Sequence, residues 1–165
     1  MAQNTLISFD NLQAVLLEYG KEVRNQYQLN LIHSDRVASG ELLNSCEFDL
    51  KLTDKTYQVR LELADYWKYV EYGRNPGKFP PTSKILDWIM IKPVIPRPDR
   101  NGKLPTPKQL AFLIGRKIAN EGYEGSKDLE KANDSLIKRY EPKIVAALAK
   151  DLGTYMQKFV IEKVL

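Results

Sequence analysis

The sequence predicts an α+β fold, with helices and an antiparallel β-hairpin in separate stretches of the chain. Apolar residues recur at three- and four-residue steps before residue 33 and after residue 106, which is typical of amphipathic helices. Between residues 47 and 63 they alternate with polar residues, which is typical of strands. Because strands and helices do not alternate along the chain, we do not expect a parallel sheet.

The first element is a helix from about residue 10 to His33. Its apolar face consists of Leu12, Val15, Leu16, Tyr19 and Val23. Ser8 or Asp10 can cap the helix by accepting a hydrogen bond from a first-turn amide. Gly20 weakens a helix by about 1 kcal/mol relative to Ala, and so predicts either a kink or a close packing contact.

A β-hairpin with one buried face follows. The alternating apolar residues are Phe48, Leu50 and Leu52 in the first strand and Tyr57, Val59, Leu61 and Leu63 in the second. A polar turn at Asp54 and Lys55 separates the two strands. Residues 65–72 either extend the second strand or form a short helix. The spacing of Tyr66 and Val70 favours a helical turn that ends at Gly73 in a left-handed cap.

The middle of the chain contains a short helix and an extended arm. Ile85, Trp88 and Ile89 form the apolar face of the helix, and Pro93 ends it because proline has no amide donor. Residues 93–105 contain four prolines and one Asn-Gly pair. Repeated proline excludes both a helix and a central strand, so this segment is predicted to be an extended arm.

Two further helices complete the predicted fold. Thr106, Pro107 and Gln109 form a capping box with proline at the first helical position, and Gly122 ends that helix. Its buried stripe is predicted to be Leu110, Leu113, Ile114 and Ile118. After a polar segment, a long C-terminal helix is predicted to start near Pro142. Its predicted apolar seam is Ile144, Leu148, Leu152, Tyr155 and Phe159.

Length and composition predict one domain over residues 1–165, with a C-terminal helical extension over 124–165. Cys46 is the single cysteine, so neither an intrachain disulfide nor a cysteine-ligated zinc site is expected. The first residues lack a basic patch before an apolar run, and no apolar stretch reaches the roughly 20 residues that cross a bilayer. We therefore expect a soluble protein, made in a reducing cytoplasm, that does not interact with membranes.

Charge is concentrated in residues 74–117, which carry ten basic and two acidic side chains, a net charge of +8. The whole chain has a net charge of +4, so the remainder has −4. This asymmetry indicates an anionic partner, such as nucleic acid or an acidic protein. A solvated, lysine-rich loop explains it equally well.

Residues for catalysis are scarce. His33 is the single histidine, and its place at a helix end suits a favourable contact with the helix dipole. Glu62, Asp65 and Glu71 lie near aromatic residues, as in glycosidases and nucleases, but solvated surface carboxylates are the simpler interpretation. The motifs of calcium, zinc and phosphate sites are missing. The sequence therefore predicts no enzyme activity, no metal site and no cofactor.

Residues 66–81, YWKYVEYGRNPGKFPP, combine aromatic and basic side chains. Such a mixture stacks on bases and neutralises phosphates in nucleic-acid-binding proteins. Tyr, Trp and Arg are also enriched at protein–protein interfaces, and we favour an interface because no nucleic-acid-binding motif accompanies the segment. A small nucleic-acid-binding protein, or a carboxylate-dependent nuclease, stays as the alternative.

Several motifs together resemble the tail-completion and head–tail joining proteins of tailed bacteriophages. They are SGELLNS at 39–45, Y-x-x-Y-V-E-Y-G at 66–73, the Pro-Pro step at 80–81, I-x-x-W-I at 85–89 and A-F-x-I-x-R-x-I at 111–118. The resemblance covers about residues 8–123. It rests on the order and spacing of these motifs, because none is specific by itself.

The resemblance implies a structural protein of the virion neck. Subunits would form a homo-oligomeric ring of sixfold or twelvefold symmetry between portal or adaptor proteins and tail proteins, with double-stranded DNA passing through its channel. We predict that the subunit interface includes Trp67, Tyr69, Tyr72 and Phe79. The basic residues predicted to face the channel or a partner are Arg74, Lys78, Arg97, Arg100 and Lys103.

Overall fold

The computed structural model describes residues 8–53, 56–92, 94–98 and 100–164. Its helices are α1 (Asp10–His33), α2 (Glu41–Asn44), α3 (Trp67–Tyr72), α4 (Thr82–Ile91), α5 (Pro107–Glu121) and α6 (Asp128–Val164), and its strands are β1 (Glu47–Thr53), β2 (Thr56–Glu62), β3 (Gly73–Arg74) and β4 (Tyr123–Glu124). The predicted α+β class is confirmed.

The chain divides into two compact units. Unit 1 comprises the described residues within Met1–Leu29, Cys46–Glu62 and Leu129–Leu165. Unit 2 comprises those within Asn30–Ser45 and Leu63–Asp128. The expectation of a single domain stays a prediction.

The predicted hairpin is confirmed in unit 1. Strands β1 and β2 pair antiparallel, with Leu50 opposite Val59 and Asp49 opposite Arg60. The predicted turn residues Asp54 and Lys55 lie outside the described residues. Gly20 of α1 lies against the hairpin, because a Cβ there would be 2.6 Å from the Phe48 ring. The close packing contact expected at Gly20 is therefore confirmed.

The core of unit 1 joins α1, β2 and α6. Val23, Leu136 and Tyr140 are buried at its centre. The partly buried residues around them are Val15, Tyr19, Leu61, Leu129 and Ile144. The Tyr140 hydroxyl donates a 2.8 Å hydrogen bond to Glu18, and the Arg139 guanidinium forms an ion pair with Glu22.

The cap of α1 differs from the prediction. Ser8 donates its hydroxyl hydrogen to Asp10, at 2.5 Å, instead of accepting from a backbone amide. The first-turn N–H groups of Asn11 and Leu12 donate to the carboxylate of Asp151 on α6, at 3.2 and 2.9 Å. A side chain 139 residues away in sequence thus caps the helix, which a local sequence pattern could not reveal.

The predicted start of the C-terminal helix near Pro142 is wrong. The helix begins at Asp128 and contains Pro142 in its interior. A proline there removes one hydrogen bond and costs about 3 kcal/mol. Tyr140 and Ile144 on either side of it pack into the unit 1 core, and this burial offsets the cost.

The predicted apolar seam of this helix does not coincide with its buried stripe. Leu148, Leu152 and Phe159 are exposed, whereas Ile144 and Tyr155 are partly buried. The buried stripe runs instead through Ala132, Leu136, Tyr140, Ala147 and Asp151. The sequence did not reveal the buried stripe, because that stripe contains two small alanines and a charged residue.

The core of unit 2 lies between α4 and α5. Ile85, Ile89 and Ala111 are buried there, and Leu110, Ile114 and Ile118 pack against them as predicted. Trp88, assigned to the apolar face of α4, and Leu113, predicted to be buried, are each 40% exposed. The buried positions of α5 are the small residues Ala111 and Gly115, and the Phe79 ring lies against Gly115.

The boundaries of α5 and the start of the arm agree with the sequence. Thr106 accepts from Gln109 N–H in a complete capping box, and Gly122 (φ 68°) follows the last residue of the helix. Val94 packs against the core of unit 2, so the arm begins on the surface of that unit. Positions 93 and 99, including the predicted helix stop at Pro93, lie outside the described residues.

A two-residue sheet next to α3 was not predicted. Gly73 pairs with Glu124 and Arg74 with Tyr123. Gly73 has φ 76° and ψ −152°, so its φ is positive as predicted but its ψ is not that of a left-handed cap. This conformation is nearly exclusive to glycine. It turns the chain directly from α3 into β3.

Candidate docking surface

Helix α3 in unit 2 carries three of the predicted interface residues. Tyr69 and Tyr72 are 53% and 63% exposed, and Trp67 is partly buried. The Trp67 and Tyr72 ring centroids are 6.0 Å apart, and Lys68 Nζ lies 5.9 Å from the Trp67 ring. We call Trp67, Tyr69 and Tyr72 the aromatic surface.

The backbone beneath the aromatic surface is tightly held. The N–H groups of Ser126 and Lys127 donate to the carbonyls of Val70 and Glu71, at 2.9 and 3.1 Å. A Cβ on Gly125 would collide with the Glu71 carbonyl. Glycine is therefore required for this approach, which fixes α3 to the segment after β4. The exposed rings consequently project from a rigid backbone.

Tyr66 has a different role from its aromatic neighbours. Its hydroxyl oxygen accepts a 3.1 Å hydrogen bond from the N–H of Leu42 at the first turn of α2. Burial, reinforced by the nearby charge of Glu41, raises the pKa of Tyr66. Tyr66 therefore anchors α2 to the start of α3 and is not part of the exposed surface.

The structure places Phe79 against α5. Its ring centroid lies 5.6 Å from that of Phe112, and a Cβ on Gly115 would be 2.7 Å from the Phe79 ring. Gly77 N–H donates to the Ala119 carbonyl, at 2.7 Å, and holds the same loop on α5. Phe79 thus belongs to the α5 side of unit 2.

The predicted basic residues occupy two settings. Arg74 is partly buried and donates from Nη2 to the Lys78 carbonyl at 2.6 Å, so it braces the loop at 75–78. Burial raises the pKa of the neighbouring Tyr123, while the charges of Arg74 and Arg36 act in the opposite direction. The remaining basic residues are all exposed: Lys78, Arg97, Arg100 and Lys103.

The two units differ in charge. Unit 2 contains thirteen basic and nine acidic side chains, whereas unit 1 contains twelve of each. The net charge of +4 therefore belongs to unit 2. Two of its acids, Glu71 and Asp128, are buried, so its exposed surface is more basic than the net charge indicates.

The residues considered for chemistry are dispersed. Glu62 and Asp65 are exposed, but Glu71 is buried, contrary to the expectation of a solvated carboxylate. Within the described ranges, no group of three or more His, Cys, Asp or Glu side chains could hold a metal ion. Cys46 is buried, and burial raises its pKa to about 11. His33 occupies the last turn of α1, as predicted.

The sequence missed an exposed apolar surface on α4 and α5. Its most exposed members are Trp88, Met90, Ile91, Phe112 and Leu113. An amphipathic pattern separates two faces of a helix, but it could not show that apolar residues lie on both faces here. The high number of apolar residues in these two short helices was the available signal of such a surface.

Comparisons with family models, curated proteins and solved structures gave no match to this chain. Among the described residues, no helix is both long and apolar enough to cross a bilayer.

Proposed function

We propose that this chain is a structural subunit of the neck of a tailed bacteriophage. Its copies form a ring that joins the portal to the tail, and the genome passes through the channel of that ring. In this role the protein catalyses no reaction. It is made in the cytoplasm of the bacterial host and functions in the virion. The proposal rests on the resemblance of residues 8–123 and on the character of the aromatic surface.

The observation that carries the proposal is the exposure of Tyr69 and Tyr72 on a backbone held by Gly73 and Gly125. Ring subunits meet through heterologous contacts that close by rotation. Aromatic side chains on a rigid backbone lose little conformational entropy when such a contact forms. The aromatic surface therefore suits a subunit interface.

The exposed basic residues Arg97, Arg100 and Lys103 suit a second role. They lie on a proline-rich arm, which loses less entropy on docking than a flexible segment does. In a neck ring they would face the DNA or an acidic neighbouring protein. We expect only a few basic residues to face the channel. A protein that neutralises many phosphates would bind DNA tightly and hinder its passage.

Mass measurement of purified phage particles tests the proposal. We expect a fixed number of copies in each particle, located at the junction of head and tail. If particles contain no copy of the protein, the proposal is wrong.

The aromatic and basic side chains at 66–81 also support a second candidate, a small nucleic-acid-binding protein. The position of Lys68 over the Trp67 ring, next to the exposed Tyr72, is the observation in its favour. This candidate predicts that the free protein binds DNA with an affinity that falls steeply with salt. The carboxylates Glu62, Asp65 and Glu71 give no comparable support to a nuclease, because Glu71 is buried.

A further inference from the structure

A shallow apolar groove runs between α4 and the first turn of α5 in unit 2. It has a volume of about 550 Å³ and is lined by Leu86, Met90, Thr106, Pro107 and Lys108. Its place in the fold is separate from α3, and none of the lining residues belongs to the aromatic surface.

Exposed apolar side chains lie in and close in sequence to the lining of the groove. Met90, which lines it, is 72% exposed. The neighbouring Ile91 and Leu104 are more than half exposed, and so is Phe112, one helical turn after Lys108. Large exposed apolar side chains close to an apolar groove favour an interaction site there. An occupant of this groove must therefore carry apolar side chains.

The charge around the groove indicates which charged groups the occupant carries. Lys108 lines the groove, and Lys103 precedes the α5 cap by three residues. The first turn of a helix also carries partial positive charge. Together with the net +8 of residues 74–117, these features favour an occupant with carboxylates beside its apolar side chains.

A second copy of this chain does not fit that description. Its longest exposed apolar segment on one described helix is residues 141–160 of α6, which contains Val145, Leu148, Leu152, Met156 and Phe159. The exposed charges of that segment are Lys143, Lys150 and Lys158 against the single acid Glu141, since Asp151 is buried. Docking it in the groove would bring lysines towards Lys108, which is unfavourable. Its other exposed apolar surface, on α4 and α5, adjoins the same basic Lys108.

We propose that the α4–α5 groove binds an apolar, acidic peptide segment of a different protein. The apolar side chains enter between Leu86 and Met90 of α4 and Pro107 of α5, and the carboxylates face Lys108 and the first turn of α5. This inference does not depend on the neck role, because it derives from the groove and its charge alone.

The test measures binding of three labelled peptides to the full chain by fluorescence anisotropy. The first peptide is a helix with leucine on one face and glutamate elsewhere, and the second replaces each glutamate by lysine. The third is residues 141–160 of this chain. We expect binding of the glutamate peptide alone, weakening as salt is raised.

Variants locate the site. Met90→Glu and Lys108→Glu should each weaken binding of the glutamate peptide by about tenfold or more, which corresponds to a loss of at least about 1.4 kcal/mol. Val145→Glu is the matched control, because Val145 is 62% exposed on α6 in unit 1 and should leave affinity unchanged. Circular dichroism and thermal unfolding verify that each variant is folded.

Four outcomes would overturn the proposal. They are no binding of the glutamate peptide, equal binding of the glutamate and lysine peptides, wild-type affinity in folded Met90→Glu, and preferential binding of the 141–160 peptide. The last would identify a second copy as the occupant. Incorporation of the protein into phage particles is measured separately, so the two proposals fail independently.

Discussion

The carboxylate of Asp151 caps the first turn of α1 through a 2.9 Å hydrogen bond from the N–H of Leu12. Its other oxygen accepts from the backbone N–H and side-chain amide of Asn11, at 3.2 and 2.5 Å. The first amides of a helix have no partner within the helix, and negative charge is favoured there. The Asp151 side chain therefore links α6 to the first turn of α1, which lie near opposite ends of the sequence.

Asp151→Asn should destabilise the protein by about 1–3 kcal/mol, because it weakens charged hydrogen bonds to buried amides. Urea unfolding followed by circular dichroism measures the change. Glu141→Gln removes an exposed acid from the same helix and should change the free energy of unfolding by less than about 0.5 kcal/mol. Equal effects of the two substitutions would contradict the capping role.

The contribution of Asp151 should also depend on pH. Burial by itself raises the pKa of this carboxyl, but the hydrogen bonds from Asn11 and Leu12 outweigh burial and lower it. The stabilisation is therefore complete above the unfolded-state pKa of about 3.9 and is lost as the pH falls through the lower folded-state value. Urea titrations should show a constant difference between wild type and Asp151→Asn above about pH 5. The difference in unfolding free energy should become smaller in more acidic solution. A difference that stays constant at every pH would show that the charge of Asp151 is not involved.

Gly73→Ala should destabilise the protein more than Gly77→Ala. Both glycines have positive φ, 76° and 133°, so each substitution costs about 1–3 kcal/mol in backbone strain. A Cβ on Gly73 also collides with the Tyr123 carbonyl, whereas nothing lies within 4 Å of one on Gly77. We expect an additional cost of about 1–3 kcal/mol at Gly73 from this overpacking. Chemical denaturation compares the two variants, and similar stabilities would rule out the close β3–β4 approach.

Cys46 should react slowly with thiol reagents. The pKa of its thiol is raised by burial to about 11, so at pH 8 its thiolate fraction is about two orders of magnitude below that of an ordinary thiol. A chromogenic disulfide assay measures the rate in native and urea-unfolded protein. Ser83→Cys in a Cys46→Ser background supplies an exposed control on α4. Comparable native rates for the two cysteines would show that Cys46 is accessible.

The proposed neck role predicts that Tyr69→Ala combined with Tyr72→Ala abolishes incorporation into phage particles while the subunit stays folded. Both side chains are more than half exposed, so each substitution should change stability by no more than about 0.5 kcal/mol. Phe159→Ala, at an exposed position on α6, is the matched control. The measurement is the copy number per particle and infectivity after complementation with each variant. Normal particles from the double variant would remove the aromatic surface from the interface.

Much of the fold was predictable because its signals are local. The capping box at Thr106 and Gln109 needs only four consecutive residues, and it starts α5 where the sequence placed it. The alternation in β1 and β2 likewise specified the hairpin and its face. The start of α6 was not predictable from Pro142, because the burial that outweighs the proline comes from residues of α1 and β2.

The candidate site was predictable in composition but not in arrangement. The sequence identified Tyr69, Tyr72 and Phe79 as aromatic residues beside basic ones, yet it could not separate α3 from the α5 side, where Phe79 packs on Phe112. Nor could it show that Arg74 braces its own loop through the Lys78 carbonyl. The position of Phe79 depends on a contact with a residue that is distant in sequence, and the Arg74 contact depends on the backbone conformation of the loop at 75–78.

The sequence by itself determined the α+β class, the hairpin, the caps of α5 and the concentration of basic charge in 74–117, because periodicity, capping and charge are properties of short segments. Tertiary structure alone decided that Asp151 caps α1, that Glu71 is buried and that Met90 borders a groove. The physical reason is that burial depends on which neighbours remove a side chain from water, and those neighbours come from other parts of the chain.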